Sequence, residues 1–184
     1  MNIVEKSKNL MFEQTKLNKA PAWELTEIAI EKGSELSKEY AVDERLVLTS
    51  LYLAHTVFSP VWKDQTQENH PKLSSEFVKT YLDEWEVNKS DQKIILNSIE
   101  AHHDDVPMES KIAEVVRNAE GFKFLTVTGA LVLLHNLGAR QTPYKEAASK
   151  VLEKMEQKKS LLTLDSCIEE AEKNCLEIEM ILKK

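Results

Sequence analysis

Four of the five histidines in this chain, His55, His70, His102 and His103, fall where helical segments are expected to end, and a carboxylate, Glu120, follows on a later helix. Imidazole nitrogens and carboxylate oxygens gathered from several helices are the donors of a helical metal site. No two of these residues form a short local motif, so the chemistry depends on a fold that brings helix ends together. Helical phase points the same way. Leu48, Leu51 and Tyr52 share a stripe with His55, Ile95 and Ile99 with His102, and Ala113 and Val116 with Glu120, which turns each polar group toward the apolar side. A single inward histidine is more often a hydrogen-bonded core residue than a ligand. Several inward polar groups at helix ends in one chain shift that balance.

The elements that must position them are helices. With 184 residues, 42% hydrophobic and 30% charged, and only 4 Gly and 5 Pro, the chain fits one globular domain able to bury its own core. Its Leu, Ile, Glu, Lys and Ala content favours helix over sheet. Capping residues and prolines divide it. A first helix is predicted over 3–15, a second opened by Pro21 to about Tyr40, and a third capped by Asp43 and ending near Phe58. A loop with Trp62 leads to His70, set in an extended position before Pro71. A helix to about Glu86 follows, then one capped by Ser90 and ending at His102 and His103. Asp104 and Asp105 read as a solvated turn, and Ser110 opens the helix that reaches Glu120. The apolar run from Phe122 to Leu137 predicts a buried helix closed by Gly138. Thr142 and Pro143 open the next, and a last is capped at Asp165 or Ser166, with Glu169 completing a capping box. The fold class is all-α: a single compact bundle of eight or nine helices over 1–184.

On these residues the chain resembles the HD-domain superfamily of helical metal-dependent phosphohydrolases. The resemblance covers about 21–125, with the helices of 126–184 packing on that core. The run VDERLVLTSLYLAHTVF resembles the helix that carries the family's His-Asp pair, with His55 at its histidine and Thr56 in place of its aspartate. Glu24, followed by Ile28 and Ala29, falls where the family's first histidine belongs. His70 matches the first additional histidine of two-metal members, and SIEAHH the segment bearing the second, with His102 favoured over His103. VVRNAEGFKFL resembles the helix holding the last aspartate, read here as Glu120. A competing frame centred on His135 in LVLLHNLG leaves no later histidine, so His135 is expected in the core.

The resemblance implies a metal set of Glu24, His55, His70, His102 or His103, and Glu120, with Thr56 and Glu120 at the catalytic positions. Thr56 offers a neutral hydroxyl where the family has a bridging carboxylate, so one ion (Fe, Mn, Zn or Ni) is expected rather than two. Lys63, Lys72, Arg117 and Lys123 are the expected contacts to a small phosphate-containing ligand. Trp23 and Trp62 are aromatic groups able to stack a base, with core packing the plainer role for Trp23. Two functions follow: a phosphohydrolase acting on a nucleotide or other small phosphate ester with a rearranged site, or a catalytically inactive relative that binds a ligand or protein partner.

A net charge of −7 argues against nucleic acid as the main partner. No apolar h-region opens the chain and no run approaches a membrane span, so a cytoplasmic protein is expected. Cys167 and Cys175 lie about 12 Å apart along one helix, too far to bridge, and are expected reduced. The acidic amphipathic C-terminal helix can pack within the domain or against a second copy, leaving a homodimer open.

Overall fold

The structure is a computed structural model that describes residues 1–57, 66–103 and 106–183, with the backbone alone at 66–68. Among the described residues there are nine α-helices and no strand: α1 (Ile3–Asn18), α2 (Trp23–Glu39), α3 (Glu44–Leu53), α4 (Thr66–Glu84), α5 (Lys89–Glu100), α6 (Lys111–Phe122), α7 (Val127–Ala139), α8 (Tyr144–Lys159) and α9 (Asp165–Leu182). The all-α expectation holds.

Several starts follow from side chains that satisfy orphan amides. Asp43 accepts from the Arg45 N–H at 2.9 Å, Ser110 from Ala113 at 3.1 Å and Thr126 from Gly129 at 2.9 Å. Other boundaries differ from expectation. Asn88 rather than Ser90 caps α5, its Oδ1 accepting from Asp91 N–H at 2.9 Å. Leu164 precedes α9 without a side-chain cap. Pro21 stands before α2 rather than in its first turn. The third helix stops at Leu53, so His55 and Thr56 occupy the turn that follows it. His70 is helical rather than extended, because α4 begins upstream and carries Pro71 inside it. As the sixth residue of α4, Pro71 lies just past the first turn and removes one bond of the backbone ladder, which the rest of this 19-residue helix tolerates. The run expected as one buried helix is broken by a 3₁₀ turn, Lys123–Leu125, and Thr126. Only Gly129 and Ala130 of α7 are buried, Gly138 is helical, and His135 is exposed rather than in the core.

Two apolar clusters meet across α3. One gathers residues of α2, α6, α8 and α9 with Val47 and Leu51 of α3; the other gathers residues of α4 and α5 with Leu46 and Leu53. Close packing of α2 on α3 needs Gly33, where a Cβ would collide with the Leu51 side chain. Because α3 is held from both sides, the turn leaving its C-terminus is fixed at the boundary between the clusters. His55 lies there. Cys167 and Cys175 are both buried free thiols. No single helix among the described residues is long and apolar enough to cross a membrane.

Candidate metal centre and cavity

Four polar groups from four parts of the chain converge at this boundary. His55 leaves α3, His70 sits in α4, His102 follows α5, and Glu120 lies on α6; all four are buried. His55 Nε2 is 2.7 Å from Glu120 Oε2, and His70 Nε2 is 3.1 Å from His102 Nε2. The His55 and His70 rings stack with centroids 4.8 Å apart. His103 packs edge-on beside His102 at 4.5 Å.

The donor set fits a transition-metal ion. One nitrogen from each of His55, His70 and His102 lies within 4.8 Å of the others. Two ligands each about 2.1 Å from one ion, at tetrahedral to right angles, stand roughly 3.0 to 3.4 Å apart. The His70–His102 separation already matches, and His55 lies within 4.8 Å of both. His102 Nδ1 lies 2.6 Å from the Ile99 carbonyl, to which it donates, leaving the Nε2 lone pair facing the cluster. Arg117 fixes the same turn from behind, its guanidinium donating to the carbonyls of Ala101 (2.6 Å), His103 (2.6 Å) and Val106 (2.8 Å).

Lys123 changes the character of this centre. Its ammonium pairs with Glu120 Oε2 and also lies 3.1 Å from His55 Nε2. An ammonium only donates and a carboxylate only accepts. His55 Nε2 therefore either donates to Glu120 or accepts from Lys123, and one side of this three-atom contact is always poorly matched.

The charges are set by burial and by this lysine. Burial and the Lys123 charge lower the His55 pKa against the opposing pull of Glu120. Burial, with His55 and His70 beside it, pushes His102 well below the usual imidazole value. His103 falls to about 3 through burial and the nearby Lys158, His55 and Lys154. Burial alone would raise the Glu120 carboxyl, yet Lys123 and His55 hold it well below the carboxylate range. These shifts leave His55, His102 and His103 neutral and Glu120 ionised at neutral pH, as ligation requires.

The centre opens into a cavity of about 450 Å³. His55, His70, His103, Glu120 and Lys123 line its base, Leu25, Phe124, Leu133 and Leu137 supply apolar wall, and Lys19, Arg140, Lys154 and Lys158 add positive charge. Among the described residues the lining carries five lysine or arginine side chains against one carboxylate.

Other expected site residues are placed elsewhere. Glu24 is exposed in the first turn of α2, on the side opposite Leu25, Ala29 and Leu36, and does not line the cavity. Thr56 is fully buried, but its hydroxyl donates back to the Leu53 carbonyl at 3.1 Å. Lys72 is exposed and borders a separate depression with Asn69 and Glu76. Arg117 holds the histidine turn through backbone carbonyls. Trp23 stacks on Tyr52 at 6.4 Å and meets Phe12 edge-on. Lys63, Trp62, Asp104 and Asp105 lie outside the described residues. Arg140, Lys154 and Lys158 were not anticipated. Each belongs to or follows a helix beyond the core resemblance, where a basic residue reads as solvated surface.

No family model and no curated protein sequence matches this chain. Two solved structures do. A crystal structure of an HD-superfamily hydrolase from Bacillus thuringiensis superposes with a TM-score of 0.67 at 16% identity, covering 99% of this chain and 95% of that one. A protein from Lactobacillus plantarum superposes with a TM-score of 0.71 at 14% identity, covering 97% and 94%. The chain has an HD-domain-like fold, and the likeness extends over its whole length rather than the core segment alone.

Proposed function

We propose that the cavity is the active site of a metal-dependent phosphohydrolase-type protein that holds one divalent ion on His55, His70 and His102, with Glu120 at its edge, and takes a small phosphate-containing molecule. The observation that carries this reading is the convergence of three imidazole nitrogens within 4.8 Å beside a buried carboxylate. An ion bound there would acidify a coordinated water and screen phosphate charge. The chain's own contributions are positional and electrostatic. Ile99 and Arg117 keep His102 aimed inward, Glu120 accepts a proton or hydrogen bond at Oε2, and Lys123 places a fixed positive charge beside it.

Elemental analysis of protein purified without added metal and then dialysed against Mn, Fe, Zn or Ni tests the reading. About one equivalent is expected, lost in His102→Ala, with hydrolysis of p-nitrophenyl phosphate in the loaded protein. No retained metal in any of the four would sink it.

A second reading, a relative that binds a ligand without turning it over, is favoured by Thr56, whose hydroxyl is committed to Leu53 rather than to the imidazoles. Thr56→Asp separates the two. In a centre derived from an enzyme the new carboxylate strengthens metal retention, and added Mn raises the thermal midpoint. In a purely packed relative the variant loses about 2 to 4 kcal/mol by burying an unpaired charge, with no recovery by Mn.

A further inference from the structure

The histidine cluster accounts for the base of the cavity but not for its wall. Lys123 and Lys154 place their ammonium groups 5.3 Å and 5.6 Å from the centroid of the same Phe124 ring. Two like charges around one ring in a recess repel one another unless something anionic lies between or beside them. Glu120 is already shared by Lys123 and His55. Among the described residues the hydrogen-bond partner of Lys154 is neutral, the Gln157 side-chain oxygen at 3.0 Å. Burial lowers the Lys154 pKa first, and the Lys123 charge adds to it. Arg140, exposed just past α7, adds a guanidinium to the lining. This positive recess sits in a protein of net charge −7. Such a contrast concentrates anions locally. The apolar wall is continuous with the charged one, because Phe124 belongs to both and Leu133 and Leu137 of α7 line the same space.

We propose that this recess binds a small phosphate monoester directly, without a metal ion, holding the phosphate on Lys123, Lys154 and Arg140 and an apolar or aromatic body on Phe124, Leu133 and Leu137. The inference rests on the reading of the cavity as the ligand site, and it commits to a ligand with a dianionic head and an apolar body rather than a bare oxyanion. Guanidinium and ammonium groups suit the phosphate head. The ring and leucines exclude water from the body.

Isothermal titration of the full chain after chelator treatment tests this, with phenyl phosphate, inorganic phosphate and phenol as probes. Phenyl phosphate is expected to bind metal-free protein at least tenfold more tightly than either fragment, with affinity falling as salt rises. Lys154→Gln and Arg140→Gln, with far-ultraviolet dichroism and thermal midpoint unchanged, should each weaken it threefold or more. No binding without metal, equal affinity for phosphate and phenyl phosphate, or unaltered affinity in both variants overturns the proposal. Metal content of untreated protein reads the metal centre separately. Retained metal without metal-free binding removes only this inference; metal-free binding without retained metal removes only the metal centre.

Discussion

Among the described residues three lysines are buried, Lys32, Lys123 and Lys158, and the surroundings of the first two differ. Lys32, on α2, is 4% exposed and pairs with Glu170 at 2.6 Å and Glu35 at 3.0 Å, its ammonium 4.4 Å from the centroid of the Phe122 ring. Burial lowers its pKa, but the two carboxylates outweigh that and raise it. Lys123, 2% exposed, likewise neighbours an aromatic ring, yet it has a single carboxylate partner that His55 also contacts. The carboxylates of Lys32 reach solvent at 60% and 48% exposure, whereas Glu120 is buried. A buried cation is thus no sign of function in itself. What marks a site is a buried cation whose counter-charge is shared and whose surroundings open to a cavity.

That contrast can be broken most forcefully at Glu120. Glu120→Ala leaves Lys123 buried without its carboxylate and is expected to cost about 3 to 5 kcal/mol in denaturant unfolding. A loss below about 1 kcal/mol would mean that the lysine already finds water or another partner. Lys123→Met should cost less, about 2 kcal/mol, because His55 can still donate to Glu120. The same variant should retain divalent metal at least tenfold more tightly, since a cation beside the ligands is gone; equal retention would show that Lys123 does not oppose the ion.

Acid should act on the cavity side of the comparison. The imidazoles of His102 and His103 have depressed values in the folded chain, so the unfolded chain binds more protons once pH falls below its ordinary value of about 6.5. Their stability contribution is full above that pH and is lost as pH falls toward about 3, the value for His103. Glu120, also depressed, adds a further loss below about 4.5. Unfolding free energy measured across this window should fall with acid, and His103→Gln should flatten part of the slope. The smallest effect belongs to Lys32→Met. Its carboxylates rehydrate where they stand, and a cost of about 1 kcal/mol or less is expected; a cost near that of Glu120→Ala would erase the distinction between the lysines.

The helical fold was legible because apolar spacing and caps such as Asp43 and Ser110 state it locally. The inward turn of His55, His102 and Glu120 was legible by phase for the same reason. Helix ends were less so. His70 reads as extended because Pro71 follows it, yet α4 begins before both and absorbs the one ladder bond that Pro71 removes. Glu24 shows the limit of matching by order, since its own phase on α2 sets it opposite Leu25 and Ala29. Arg140 and Lys154 carried no local signal. A lysine on the amphipathic α8 looks the same whether it faces solvent or a recess formed by α6 and α7, and only tertiary packing distinguishes them. The break at Lys123–Leu125 was hidden by an apolar run that either a continuous helix or a kinked one satisfies.

The His55–Glu120 contact joins residues 65 positions apart and lies where the two apolar clusters meet through α3. Contacts of such long sequence separation form only after the chain entropy between them has been spent, which places them late on the folding route. Substitution of Glu120 should therefore leave the refolding rate nearly unchanged and appear almost wholly as faster unfolding. The centre acts in time as a latch: it sets how long the folded molecule lasts rather than how quickly it forms.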